Sequence, residues 1–419
     1  MHPRKRIWII FPLMTLLLTA CSAALSSTGT QEAEILPAAA GNRSSDAAPA
    51  EETPDHQLTE CEDPFGGEIP AFRTDGWETN FCLHSVDYAE IFSGGPPRDG
   101  IPPLDSPRFE SIASADLWIE DIEPVILLDT EGEARAYPLQ ILTWHEIVND
   151  QVGEIPVAVT FCPLCNTALV FVRPEINGEI LTFGTSGNLR YSDLVMWDRQ
   201  TESWWQQFNG EAIIGDLLGT KLERIPSAII SWSDFKSNYP DGLVLSIQTG
   251  FQRSYGRNPY AGYDNVNSHP FAYVGDLDGQ LPAMARVVGV NLENGEGGAF
   301  ALELLQENRV LNEKLGDVAL VLFWKPGTAS ALESSSISNG RDVGTTGVFA
   351  AAVDGQTLTF EAGEEGQFLD KETRSTWDIF GKALDGPLAG SSLERLAHHD
   401  TFWFAWAAFV PDSELSSKE

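Results

Sequence analysis

The chain has 419 residues, of which 42% are hydrophobic, and a formal net charge of −35 at pH 7. This length and this apolar content are enough for a large hydrophobic core. The excess of 61 acidic over 26 basic residues repels phosphates and anionic head groups, which argues against nucleic acid as a partner. We expect the charge to lie on a solvated acidic surface.

The first residues have the pattern of a bacterial export signal. Three basic residues, Arg4-Lys5-Arg6, precede an apolar run over 7–18 that is too short to span a membrane. The run ends in Leu18-Thr19-Ala20-Cys21, which resembles the lipobox of bacterial lipoproteins. We therefore predict a signal peptide over 1–20 and a lipidated Cys21, so that the exported protein is anchored to the membrane outside the cytoplasm. The alternative is an ordinary cleaved signal in which Cys21 plays no part.

Two segments without regular periodicity follow the signal. Residues 21–60 are rich in Ala, Ser, Thr, Pro and Glu, so we predict a lipidated, disordered tether. Residues 61–116 are predicted to form a Pro- and Gly-rich N-terminal cap. Cys61 and Cys82 flank a Gly- and Pro-rich stretch of this cap, and export permits disulfides. The simplest interpretation is a structural disulfide between them.

The rest of the chain contains an internal similarity. Residues 132–169 and 295–332, at a constant shift of 163, are identical at ten of 38 positions, where chance would give about two. We interpret this as two degenerate tandem copies of one unit, with copy one over 117–245 and copy two over 283–412. Residues 246–282 connect the copies.

Each predicted copy is richer in strands than in helices. Copy one starts with a strand over 123–129, and a helix over 139–150 follows Pro138. A buried strand over 155–161 then leads into Cys162-Pro163-Leu164-Cys165. So few helices cannot cross over between all strand pairs, which predicts an α+β fold with a mainly antiparallel sheet. The other predicted elements are a hairpin around Asn177-Gly178 and a second helix, near 232–239 in copy one and near 403–409 in copy two.

Cys162 and Cys165 are the main candidates for a functional site, because copy two lacks both thiols. The helix residue His145 is lost together with them. The aligned residues of copy two are Lys325, Thr328 and, opposite His145, Asn308. Two thiolates and an imidazole are three ligands for a soft or borderline metal, so we predict a metal site of His145, Cys162 and Cys165 that holds copper or zinc.

The sequence offers several candidates for a fourth ligand or a group behind the ligands. They are Asn166, Asp193, Met196, His269 and His398. Haem attachment in its usual form is excluded, because Asn166 and not His follows Cys165. The glycine-rich run over 183–188 has no Lys to complete a phosphate-binding loop, so no nucleotide is expected.

Aromatic and basic residues cluster in the connecting segment. Arg253, Tyr255, Arg257 and Tyr260 lie where the two copies would frame a cleft. They are suited to an anionic or sugar-like ligand, and an ordered, stacked loop explains them equally well.

Several long motifs resemble domain-of-unknown-function family 3179. Among them are Trp144-His145-Glu146-Ile147-Val148-Asn149-Asp150 and Cys162-Pro163-Leu164-Cys165-Asn166-Thr167-Ala168. Further motifs lie at 94–103, 137–142, 192–199 and 402–406. The resemblance implies an exported or membrane-attached protein and specifies no activity.

Three functions remain open at this stage, and whether the protein is an enzyme stays undecided. The first is metal-dependent redox chemistry or metal handling at the cell envelope. The second is thiol-disulfide exchange by Cys162 and Cys165. The third is a non-enzymatic surface or ligand-binding protein in which this pair only stabilises a loop.

Overall fold

Short runs of apolar, β-branched residues separated by turns extend along nearly the whole chain and form a sheet-rich fold. The computed structural model describes residue 61 and residues 63–292, 294–364 and 366–418, which belong to one compact unit. The predicted signal peptide, the lipidation at Cys21 and the tether lie outside these residues. No helix in the described part is both long enough and apolar enough to cross a bilayer.

The elements up to residue 245 form three main sheets. In chain order they are β1 (Ile91–Ser93), β2 (Phe109–Ser111), α1 (Ile112–Ala115), β3 (Pro124–Thr130), β4 (Glu133–Pro138), α2 (Leu139–His145), β5 (Ile147–Val152), β6 (Ile155–Cys162), β7 (Thr167–Val172), β8 (Glu175–Ile176), β9 (Glu179–Ile180), β10 (Phe183–Arg190), β11 (Asp193–Asp198), β12 (Trp204–Gln206), β13 (Glu211–Ile214), β14 (Arg224–Ile225), β15 (Ala228–Ser231), α3 (Trp232–Asn238) and β16 (Leu243–Leu245). The strand orders are β15-β3-β4-β16-β2, β14-β7-β6-β5 and β1-β10-β11-β12-β13. The predicted cap therefore adds β1 and β2 to the edges of two sheets.

The elements after residue 285 form a second set of sheets. They are β17 (Arg286–Asn291), β18 (Gly297–Ala301), α4 (Leu302–Asn308), β19 (Val310–Leu315), β20 (Val318–Lys325), β21 (Thr345–Ala350), β22 (Ala352–Val353), β23 (Gln356–Thr357), β24 (Phe360–Ala362), β25 (Phe368–Asp370), β26 (Thr376–Trp377), β27 (Ala383–Asp385), β28 (His398–Phe402), α5 (Trp403–Phe409) and β29 (Glu414–Ser416). The strand orders are β28-β17-β18-β29, β19-β20-β21 and β24-β25-β26-β27. Residues 246–285, all described, contain no helix or strand of their own.

The two halves share their order of elements and their strand pairings. β3 and β4 form an antiparallel hairpin that β16 joins in parallel, and β17, β18 and β29 are arranged in the same way. The meanders β5-β6-β7 and β19-β20-β21 also correspond. The mainly antiparallel, sheet-rich architecture predicted from the sequence is confirmed. Duplication of one unit stays a prediction from the sequence.

The first long helix is shorter than the sequence predicts. α2 ends at His145, and residues 147–150, the last part of the predicted helix, belong to strand β5. The apolar spacing of Ile147 and Val148 continues that of Ile141 and Leu142, so it fits a helix as well as a strand. The break occurs at Glu146, whose φ of 58° lies outside the right-handed helical region.

One hydrophobic core spans both halves of the chain. The largest cluster of buried side chains includes Ile141 and Val159 from the first half together with Val287 and Trp406 from the second. Cys162 and Cys165 belong to the same cluster. At the N-terminal end, Cys61 and Cys82 form a disulfide, as predicted. The site-bearing loop therefore lies in the shared interior of the protein.

Candidate metal centre

The hairpin connection between β6 and β7 carries both free thiols. Cys162 is the last residue of β6 and pairs with Thr167, the first residue of β7. Between them, Asn166 has a φ of 55°, a left-handed conformation that Asn adopts more readily than most residues. Its backbone N–H donates to the Pro163 carbonyl at 3.3 Å and closes the turn. The turn brings the Cys162 and Cys165 Sγ atoms within 4.8 Å of each other, and both side chains are buried.

A second turn, which connects β10 to β11, lies against the two thiols. Its residues, Tyr191 and Ser192, have φ values of 49° and 67°, as a two-residue type I′ hairpin turn requires. Neither is a glycine, so each costs on the order of 1–2 kcal/mol in this conformation. The Ser192 carbonyl accepts from Cys165 Sγ at 3.5 Å and lies 3.9 Å from Cys162 Sγ. A strained turn thus contacts the thiol pair directly.

The same turn delivers Asp193, the first residue of β11, to the thiols. Its side chain is fully buried, and Oδ2 accepts from the Phe208 backbone N–H at 3.0 Å and from Gln206 Nε2. Oδ1 has no partner with hydrogen-bond geometry among the described residues. The ligand atoms of Cys162, Cys165 and Asp193 all lie within 4.8 Å of one another. We refer to these three residues as the Cys2Asp cluster.

Burial controls the charge of the Cys2Asp cluster. It raises the pKa of Cys162 and, more strongly, that of Cys165. It also raises the pKa of Asp193 to about 6, although the hydrogen bonds from Gln206 and the Phe208 amide and the adjacent thiols act in the opposite direction. At neutral pH the cluster is therefore two neutral thiols beside a buried carboxylate. Such a charge is costly in an apolar interior unless a cation accompanies it.

The second half of the chain holds the thiol loop in place. The Cys165 carbonyl accepts from the Phe402 backbone N–H at 3.1 Å and from Thr401 Oγ1 at 3.0 Å. Next to it, Asn166 Nδ2 donates to the Asp400 carbonyl at 3.1 Å. We call these contacts with β28 the β28 clamp. Asn166, a candidate ligand in the sequence, thus uses its side-chain amide to position the loop.

His145 lies outside the Cys2Asp cluster. It is fully buried, and both ring nitrogens have other partners: Nδ1 donates to the Pro102 carbonyl at 2.7 Å, and Nε2 accepts from the Tyr255 hydroxyl at 2.7 Å. Burial lowers the pKa of His145 to about 4, which keeps the ring neutral at neutral pH. The carboxylate of Asp193 stands where the sequence predicts an imidazole as the third ligand. The predicted set of His145, Cys162 and Cys165 is therefore not the set that the structure brings together.

The other candidate ligands take different positions. Met196 is fully buried in the core cluster that contains the thiols. His269 is exposed at the rim of a cavity described below. The imidazole of His398 lies near Thr346 Oγ1 at 3.5 Å and Asp400 Oδ2 at 3.8 Å. Neither histidine joins the Cys2Asp cluster.

The predicted cleft in the connecting segment corresponds to a cavity of about 800 Å³. Arg253, Tyr255 and Tyr260 line it. Arg257 does not; its side chain is exposed, and its carbonyl accepts from Trp144 Nε1 at 3.1 Å. Tyr255 links this cavity to the hydrogen bond with His145 described above.

A neighbouring cavity of about 820 Å³, which we call the site cavity, lies beside the Cys2Asp cluster. Leu164, between the two cysteines, and Leu194, next to Asp193, form part of its wall. Glu146 also lines it, and burial raises the pKa of this carboxyl to about 8. Glu146 is not among the candidate residues that the sequence indicates. The signal available was its place directly after His145 in a family motif, opposite Arg309 in the second half.

No curated protein and no solved structure matches the chain. A family model described as protein of unknown function (DUF3179) matches residues 98–413. The matched span contains the Cys2Asp cluster, the β28 clamp and Glu146, and it covers most of the chain. The chain belongs to the DUF3179 family of proteins of unknown function.

Proposed function

We propose that this protein binds one transition-metal ion through Cys162 Sγ, Cys165 Sγ and Asp193 Oδ1. The observation that carries the proposal is the buried Asp193 carboxylate: its Oδ1 atom has no partner with hydrogen-bond geometry among the described residues, and one of its oxygens lies within 4.8 Å of both sulfurs. Buried polar atoms in proteins nearly always have a partner, and an unsatisfied one needs an explanation. A cation shared with the thiolates supplies that explanation.

Metal binding agrees better with the environment of the thiols than disulfide exchange does. A nucleophilic cysteine needs a lowered pKa and access to its substrate. Here burial raises the pKa of both thiols, and neither side chain is more than 1% exposed. A bound metal ion removes the thiol protons itself, so it does not depend on an intrinsically low pKa.

The donor set favours zinc over copper. Two thiolates and one carboxylate are all established zinc ligands, whereas copper(I) prefers soft sulfur donors throughout. Three protein ligands leave one coordination position for water or substrate, which is the pattern of catalytic rather than structural zinc sites. Such a position would lie near the site cavity, whose wall includes Leu164 and Leu194, the chain neighbours of the ligands. We therefore favour a zinc-dependent enzyme over a purely structural metal site.

We also retain the export and duplication proposals. The lipobox-like sequence before Cys21 supports a lipid-anchored protein outside the cytoplasm, and the disulfide between Cys61 and Cys82 is typical of an oxidising compartment. In that compartment a second thiol pair this close would be prone to oxidation, and a bound metal would protect it. The second half would then be a structural copy that has lost the ligands and supplies the β28 clamp.

The test is the metal content of the full chain, purified in detergent and measured by mass spectrometry. We expect about one equivalent of zinc in the wild type and none in Cys162→Ser, Cys165→Ser or Asp193→Asn. His145→Asn is the matched control, because it places the residue of the second half at a buried position outside the cluster, and it should retain the metal.

Two results would contradict the proposal. One is a wild-type protein that takes up no zinc when zinc is supplied in excess. The other is Asp193→Asn with undiminished affinity for the metal. If alkylation of the metal-free protein shows that Cys162 and Cys165 cycle reversibly between thiols and a disulfide, disulfide exchange replaces metal binding as the function.

A further inference from the structure

The site cavity has the size and the lining of a binding site for a small molecule. Its volume of about 820 Å³ lies within the range of roughly 300–1,000 Å³ that is usual for ligand pockets. Ile101, Leu164, Leu189 and Leu194 supply much of its apolar wall. A ligand that enters it can therefore bury a substantial apolar body.

Glu146 is the main polar group of the site cavity. The residue is only 7% exposed, and the Tyr260 hydroxyl lies 3.5 Å from Oε1. Its Oε2 atom has no hydrogen-bond partner among the described residues and is not among their buried unpaired atoms, so it is open to a molecule in the cavity. Glu146 directly follows a helix and has a positive φ, and its counterpart in the second half, Arg309, does the same with a φ of 63°. This backbone conformation is therefore a property of the fold, whereas the carboxyl group is specific to the first half.

Asn188 is a second polar group in the wall. It follows a β-bulge at residues 186–187, where the register between β10 and β11 shifts. Bulges redirect side chains and are frequent next to functional sites. Gly187 is required there, because a Cβ atom would lie 2.2 Å from the Pro96 carbonyl oxygen. Asn188 is 4% exposed, and its side-chain amide makes no hydrogen bond to another described residue.

The charge of the lining restricts the class of ligand. No lysine or arginine is among the residues that line the site cavity, so no permanently charged side chain there would neutralise a carboxylate or a phosphate. The net charge of −35 also repels anions. A cation would need Glu146 in its charged form, which burial disfavours. An uncharged ligand meets neither obstacle.

We propose that the site cavity binds a small, uncharged, largely apolar molecule with an amide-type head group that hydrogen bonds to Glu146 and Asn188. An amide both donates and accepts, as do the unpaired groups of these two side chains together. The apolar body would lie between the leucines that flank the Cys2Asp cluster. The proposal requires the cavity and not the metal, so it stands or falls separately from the proposed zinc site.

Three probes that share one body and differ in the head group test this proposal. They are 2-naphthamide, 2-naphthoate and 2-naphthylmethylammonium, titrated calorimetrically into the full chain in detergent, with and without a chelator. We expect the amide to bind at least about tenfold more tightly than either charged probe, in both conditions. Glu146→Leu should weaken amide binding about 5- to 20-fold, the effect of losing one buried hydrogen bond. Glu146→Gln, which keeps a donor and an acceptor, should bind the amide within about threefold of the wild type.

Arg253→Gln is the control for location, because Arg253 lines only the neighbouring cavity. It should leave amide binding unchanged, and Glu146→Leu should unfold no earlier than the wild type and keep its zinc. The proposal is overturned if a charged probe binds best, if Glu146→Leu binds the amide as the wild type does, or if Arg253→Gln abolishes binding. If the protein binds the amide but takes up no zinc, the proposed zinc site is wrong and the proposed ligand site is supported.

Discussion

Replacing Asp193 by Asn should stabilise the metal-free protein. In the presence of zinc the same substitution should lower stability, because the variant loses a metal ligand. Burial raises the pKa of Asp193 from 3.8 to about 6. A carboxyl with a higher pKa in the folded state lowers stability as it ionises, so the penalty is absent below about pH 4, grows towards pH 6 and is complete above it. At about 1.36 kcal/mol per pH unit, the full penalty is about 3 kcal/mol. An Asn oxygen can still accept from Gln206 and Phe208, so most of this penalty should be recovered.

Urea unfolding with the disulfide intact measures both effects. Without metal, Asp193→Asn should gain about 2–3 kcal/mol in the free energy of unfolding at pH 7.5 and almost nothing near pH 4. Zinc at 1,000 times its dissociation constant should add about 4 kcal/mol to the wild type, and the variant should lose most of that gain. The reasoning fails if the metal-free variant is no more stable than the wild type at pH 7.5, or if its gain is equally large at pH 4.

Four further substitutions, one of them a control, test other parts of the structure by the same unfolding measurement. Burial raises the pKa of Glu123 to about 7. Glu123→Gln should therefore add about 2–3 kcal/mol to the free energy of unfolding at pH 8 but under about 1 kcal/mol near pH 4.5. A gain that does not depend on pH would refute this. Thr401→Val removes the hydrogen bond from the Thr401 hydroxyl to the Cys165 carbonyl. It should lower the free energy of unfolding by about 1–3 kcal/mol and weaken zinc binding about tenfold. Thr345→Val, the control, breaks the hydrogen bond between the Thr345 and Thr328 hydroxyl groups in the second half and should lower stability while leaving zinc affinity unchanged. Equal zinc affinities in the two variants would count against the β28 clamp. Cys82→Ser opens a disulfide between residues 21 apart and should cost about 3 kcal/mol, whereas no loss would mean that the bond adds nothing to stability.

The sequence predicts the architecture well where local patterns decide it. Strand β6 with the thiols at its end, the start of α2 after Pro138 and the helix at 232–238 all follow from apolar spacing and turn residues. The end of α2 does not, because neither Gly nor Pro marks it. The break depends on the positive φ of Glu146, which packing imposes and residue type does not reveal.

The site was only partly predictable for a related reason. The thiols were accessible from comparison of the two halves, whereas Asp193 was one of five unranked candidates for a further ligand. The helical spacing correctly directs His145 towards the interior, where it is fully buried. Its hydrogen-bond partners, Pro102 and Tyr255, come from irregular segments that no periodicity connects to the helix. Likewise, the unpaired oxygen of Asp193 becomes visible only when the tertiary contacts of β11 are known.

The β28 clamp has a consequence for the order of events as the protein is made. Cys165 and Thr401 are 236 residues apart, so the loop cannot be secured until nearly the whole chain has been synthesised and has folded. Contacts between such distant residues form slowly, because a long loop must close first. The metal would therefore be acquired last, and a chain truncated before residue 400 would have every ligand and yet no finished site. Completion of β28 would act as a checkpoint that keeps immature chains from taking up the ion.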